Sequence, residues 1–168
     1  MTNLTQDKVK ELFEYRDGAL FWQNRTVDSL GRDKTYLNGK PAGSLDSYGY
    51  LQTKIDGKLY LNHRLIFFMF HGYLPVQVDH DDNDRSNNRI ENLRPASQNQ
   101  NQHNALLRKD NTSGIKNVCW NKRQKTWVVR INVNKVPKNI GCFKDLELAE
   151  LVAIEARNKY HKEFANHG

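Results

Sequence analysis

Between Asp79 and Arg89 the chain runs for eleven residues, "DHDDNDRSNNR", without one apolar side chain. A stretch this polar reads as a loop fixed by what flanks it. The flanks are two short strand-like runs, "VQVDH" before the loop and the residues around Leu93 to Pro95 after it. Ser97 is placed to cap a following helix, "QNQNQHNALLR". The order strand, loop, strand, helix is thereby set.

The surroundings read as further small elements. Thr5 can cap a short first helix that turns Val9, Leu12 and Phe13 inward. "DGALFWQ" is a turn and a strand, and "GYLQTKIDGKLYLN" gives two alternating runs about Asp56-Gly57, a hairpin signal. "HRLIFFMFHGYLP" is too continuously apolar for a surface helix and predicts a mostly buried one ending near Gly72. From Asn111 on, the pattern predicts three strands and a helix. In the second strand Trp127, Val129, Ile131 and Val133 alternate with Val128, Arg130, Asn132 and Asn134, the first set inward and the second outward. Asp145 is placed to cap the last helix, and Leu148, Val152, Ala156 and Tyr160 share one stripe of it. One face of this sheet is then left bare, polar and basic.

Charge divides along the chain. Residues 1–104 carry 13 Lys+Arg and 13 Asp+Glu, and residues 105–168 carry 13 against 6, so the whole net charge of +7 lies in the C-terminal part. Between Arg108 and Lys144 the only acid is Asp110. Such asymmetry points to a polyanionic partner. There is no run of about 18 apolar residues, which predicts no membrane span. The N-terminus lacks the apolar core of a signal peptide, which points to a cytosolic protein. Cys119 and Cys142 do not form a CxxC pair and read as two free thiols.

The polar loop has two chemical readings. As a calcium loop, Asp79, Asp81 and Asn83 match the first three EF-hand positions, but the glycine position is Asp84 and the closing glutamate is Ile90. Calcium is excluded on those failures. As a catalytic site, an Asp and an Asn oxygen can share a hard cation with phosphate and water, and a neighbouring His can take a proton near neutral pH. Spacing alone leaves this site and an ordinary polar loop equally open.

The stretch "HRLIFFMF…LPVQVDHDDNDRSNNRIENLRPASQNQNQHN" resembles the HNH endonuclease motif of phage and group I intron homing enzymes, a ββα-metal site. The resemblance implies that Asp79 and Asn101 hold one divalent metal, that His80 is the general base, and that Asn92 holds the loop carrying it. Within "NQNQHN", Asn99, His103 and Asn104 are rival last ligands, His103 foremost. His63, opening "HRLI", reads as a hydrogen-bonded histidine at a helix start rather than a ligand.

The C-terminal stretches "SGIKNVCW", "TWVVRINV", "NIGCF" and "AELVAIEARNKYHKEFAN" resemble the DNA-binding domain of plant apetala and ethylene-response factors, three strands packed on one helix. That resemblance implies a sheet docked in the DNA major groove. The residues facing DNA would include Lys116, Arg130, Asn132 and Asn139, with Lys122, Arg123 and Lys125 around the first turn. Lys116, Cys119 and Asn139 stand where the plant proteins carry arginines and a tryptophan, so the plant recognition sequence does not transfer.

The sequence therefore predicts an α+β chain with an HNH nuclease domain over residues 1–108 and a sheet-and-helix DNA-binding domain over 109–168. The expected activity is hydrolysis of double-stranded DNA to a 5′ phosphate and a 3′ hydroxyl. The expected cofactor is one divalent ion per chain, Mg²⁺ or Mn²⁺, in a monomer or homodimer that acts as a phage protein inside a bacterial host without membrane contact. The competing reading is a DNA-binding regulator with an inactive core. RNA recognition is disfavoured by the lack of an RRM-type stacking motif.

Overall fold

The computed structural model describes residues 4–28, 30–105, 107 and 110–167. They form two compact units of mixed helix and strand, Met1–Ala96 and Ser97–Gly168. The domain boundary expected at 108/109 falls outside the described residues.

In the first unit α1 spans Gln6–Leu12, with the Thr5 hydroxyl accepting from the Lys8 N–H and Val9 and Leu12 buried. Phe13 is buried as expected but opens a strand: β1 (Phe13–Arg16) pairs antiparallel with β2 (Ala19–Trp22) across the Asp17-Gly18 turn. β3 (Ser44–Leu45), β4 (Leu51–Ile55) and β5 (Lys58–Leu61) form an antiparallel sheet. The β4–β5 turn has φ of 46° at Asp56 and 84° at Gly57, the backbone sense that matches strand twist in a two-residue hairpin.

The apolar run folds as α2 (Asn62–His71) and ends at Gly72. Leu65, Ile66 and Phe67 are buried in one core with Val9, Leu12, Phe13, Leu20, Trp22, Ile55, Val78 and Leu93. Burying each large apolar side chain contributes about 1.5–3 kcal/mol, so α2 is held mainly by this core. β6 (Gln77–His80) and β7 (Leu93–Ala96) pair antiparallel on either side of the polar loop, with Asp79 opposite Arg94 and His80 opposite Leu93.

The second unit opens with α3 (Gln98–Asn104), where Ser97 and Gln100 form a reciprocal capping box. β8 (Val118–Asn121), β9 (Thr126–Val133) and β10 (Val136–Phe143) form an antiparallel sheet in the order β10–β9–β8, and α4 (Leu146–His161) packs on it with Asp145 as its N-cap. Two expectations are corrected here. The buried residues of α4 are Ala149, Ala153, Ala156, Arg157 and His161; Ala156 of the expected stripe is among them, while Leu148 is 49% exposed. The stripe is mostly alanine because small side chains let the helix lie close on Val118 and Val129. Val128, assigned outward, is buried, because it stands in the central strand between Cys119 and Cys142. Those two cysteines are free and exposed, separated by β9. Among the described residues no helix is long and apolar enough to cross a membrane.

Candidate functional site

The polar loop hangs from the end of β6, where the strand delivers Asp79 and His80 in succession. Each is only 5% exposed. The His80 Nε2 lies 2.9 Å from Oδ1 of Asn88, itself 2% exposed. An amide oxygen facing Nε2 favours the tautomer with its proton there. The rings of His63, at 4.9 Å, and Tyr50, at 6.1 Å, pack against His80. His63 lies in the first turn of α2, and the hydrogen bond expected of it is not found at Nδ1, which is buried without a partner among the described residues. Burial, reinforced by the charges of His80 and Arg64, pushes the His63 imidazole down to about 3, so it is neutral near pH 7.

Asp79 faces the other side of the strand. Its Oδ2 accepts from Nε and Nη2 of Arg94, each at 3.0 Å, because the register sets the two residues opposite one another. Nη1 of Arg94 also pairs with Asp81. A buried carboxylate is thus charge-compensated by a guanidinium.

The loop is closed by amides. Asn92 donates from Nδ2 to Asp82 Oδ1 at 2.9 Å and to the Asn87 carbonyl at 2.8 Å, and its Oδ1 accepts from the Asp82 N–H at 3.1 Å. Burial is the largest single influence on the Asp82 carboxyl and raises it, but bonds from Asn87, Asp84 and Asn92 together outweigh it and hold the group below its ordinary value. Asn83 takes a left-handed φ of 63°, which asparagine tolerates. One side chain, Asn92, therefore ties both ends of the loop.

The N-terminal region supports this loop from behind. The Tyr15 hydroxyl accepts from the Ile90 N–H at 3.1 Å, and Asp17 pairs with Arg89. Gly18, at φ +87°, lies so close that an added Cβ would sit 2.9 Å from the Arg89 nitrogen. From the β3–β4 turn, Arg85 is held by the Tyr48 carbonyl and lies over the Tyr50 ring. Gly18→Ala should therefore destabilise the first unit by about 1–3 kcal/mol. Gly57 has a similar φ, +84°, but nothing within 4 Å of an added Cβ. Urea unfolding of both alanine variants separates backbone strain from collision, and equal losses would refute the close packing of hairpin on loop.

In the second unit Asn101 lies one turn into α3, its N–H donating to the Ser97 carbonyl at 3.0 Å. His103, the rival ligand, stacks flat on His161, with centroids 3.7 Å apart and planes 7° from parallel. Arg130 and Asn132 project from β9 away from the buried Val129 and Ile131, and Asn139 stands opposite Arg130 on the same face. All three are exposed, as are Lys122, Arg123 and Lys125 in the β8–β9 turn. Lys116 is placed differently: it is half-buried, and its ammonium donates to the carbonyls of His103 and Ala105. Burial, with Arg157 adding to it, pushes that ammonium down to about 8.

The sequence names Asp79, His80 and Asn92; it does not name Asn88, Arg94 or Tyr50. Asn88 adjoins Asn87 in "SNNR", and only the fold turns one amide inward to His80 and the other outward to Asp82.

The family model described as HNH endonuclease matches residues 60–103. Protein 3.8 of Escherichia phage T7 is 32% identical over 90 residues, 52% of this chain and 72% of that protein. No solved structure matches the chain. The segment with the buried His80, the loop-tying Asn92 and α3 is an HNH endonuclease domain, and the chain belongs to the family of the phage T7 Protein 3.8.

Proposed function

We propose that the protein is a metal-dependent DNA endonuclease of the phage homing type, and that His80 is its general base. The observation that carries this reading is the buried His80–Asn88 contact at the end of β6, which holds the imidazole in place inside the HNH segment. In the proposed reaction His80 Nδ1 takes a proton from water, and the water oxygen attacks a backbone phosphorus. The bond from phosphorus to the 3′ oxygen breaks, giving a 5′ phosphate and, after protonation, a 3′ hydroxyl. Asn92 keeps the loop in place through this step.

The assignment of Asp79 and Asn101 as ligands rests on the order of the motif along the chain. Their donors are a carboxylate and an amide oxygen, and two oxygen ligands suit Mg²⁺ or Mn²⁺, which retain water and bind substrate phosphate. When bound, such an ion supplies polarisation of the phosphate and charge stabilisation at the leaving 3′ oxygen. Arg94 orients the Asp79 carboxylate. Relaxation of supercoiled plasmid in Mg²⁺ but not in EDTA tests the reading. Duplex binding with no relaxation in any divalent ion would instead favour a DNA-binding regulator with an inactive core.

The second unit is proposed to bind duplex DNA through the open sheet face, in the manner of the apetala and ethylene-response-factor domain, in the host cytoplasm. The exposure of Arg130, Asn132 and Asn139 on one face, beside the cationic β8–β9 turn, supports this. One site per chain cuts one strand, so a double-strand break requires a dimer or two events. Lys122→Ala should weaken target and non-target DNA alike and reduce the slope of log K against log salt by about 0.9. Arg130→Ala should instead reduce discrimination by about 1–3 kcal/mol. Fluorescence anisotropy over a salt series on both DNAs distinguishes the roles, and identical behaviour of the two variants would overturn the division.

A further inference from the structure

α3 is a helix that its own sequence cannot hold. "QNQNQHN" has seven residues and no apolar side chain, far below the length at which an isolated helix persists in water. Its N-terminus is secured by the Ser97–Gln100 capping box. Its C-terminus is secured by the sheet-and-helix module. Lys116 Nζ donates to the His103 carbonyl at 2.8 Å and to that of Ala105, placing a cation on the end where carbonyls lack intrahelical partners and the dipole is negative. The His103 ring lies flat on His161 of α4, and His161 Nε2 is fixed in turn by the Asn132 carbonyl at 3.1 Å. Arg157, 1% exposed, donates to the Lys116 carbonyl and so holds the segment that carries the clamping lysine.

We propose that Lys116 and His161 are positioning residues that clamp α3, and with it Asn101, to the C-terminal module, so that the module supports cleavage by ordering this helix as well as by binding DNA. Lys116 then acts on α3 and not on a phosphate. The inference rests on the nuclease reading for its link to cleavage, but the clamp itself can be measured without cleavage.

The test uses full-length Lys116→Met, with Lys116→Arg as the conservative variant and His161→Ala as an independent second break. Three quantities are read: amide hydrogen exchange of residues 98–104, duplex affinity over a salt series, and single-turnover cleavage at saturating DNA with Mg²⁺. Lys116→Met and His161→Ala should each speed α3 exchange by about tenfold or more, the amount expected when a local tether is lost. Cleavage at saturation should fall while affinity and salt slope stay at wild-type values, and Lys116→Arg should restore both exchange and cleavage. Unchanged α3 exchange in both Lys116→Met and His161→Ala overturns the clamp. A salt slope lower by about 0.9 in Lys116→Met, with α3 protection intact, makes Lys116 a phosphate contact and also overturns it. Wild-type protein that cuts no DNA in any divalent ion removes the nuclease reading and the link to cleavage, while the exchange result still decides the clamp.

Discussion

Replacing His80 with alanine should lower single-turnover DNA cleavage by about 10²–10⁴-fold, the usual contribution of a positioned general base. Affinity for duplex DNA should stay within about threefold, because affinity comes mostly from phosphate contacts made elsewhere. The two quantities separate because proton removal from water is needed only on the way to the transition state. The basic excess lies entirely after residue 104, in a different unit from the strand that carries His80. The Asn88 amide is the second half of this expectation. Its Oδ1 favours the His80 tautomer with the proton on Nε2, so Asn88→Leu, which keeps bulk and removes the acceptor, should lose cleavage without losing affinity. A His80→Ala variant that cuts at the wild-type rate removes the residue from the mechanism. One that loses cleavage and affinity together shows a damaged fold, and far-ultraviolet circular dichroism would register it.

What could be read from the sequence was what local chemistry dictates. The polar run from Asp81 to Arg89 had to be a loop, Ser97 had to be a cap, and Asp56-Gly57 had to be a turn. What could not be read was set by partners distant along the chain. Tyr15 reaches Ile90 and Gly18 touches Arg89, contacts between segments some seventy residues apart that leave no periodicity in either. β1 was hidden because Phe13 also completes the apolar face of α1. Of the expected stripe of α4, Ala156 is buried and Val152 packs on the core, but the buried face is turned toward Ala149 and Ala153, and Leu148 is left in solvent. Lys116 illustrates the same limit for charge. Composition marks it as one cation in a basic segment, while the fold aims it at the carbonyls closing α3.

Acidification should destabilise the first unit through His63. An unfolded histidine titrates near 6.5, whereas burial pushes the folded His63 to about 3. Between those values the unfolded chain binds a proton that the folded chain refuses, so stability is complete above pH 6.5 and is lost as pH falls toward 3. For this one group the loss between pH 7 and pH 5 is about 2 kcal/mol, which is a large share of a small domain's stability. The physical origin is the enclosure of His63: it is buried beside Tyr50 and His80 in the first turn of α2, and its Nδ1 has no partner among the described residues to stabilise the imidazolium. His63→Gln removes the titration and should flatten the profile by that amount. A Trp120→Phe, Trp127→Phe background leaves Trp22, which lies in the same core as α2, to report unfolding of the first unit in urea. If wild type and His63→Gln lose the same stability between pH 7 and pH 5, His63 is not the buried neutral base that its surroundings describe.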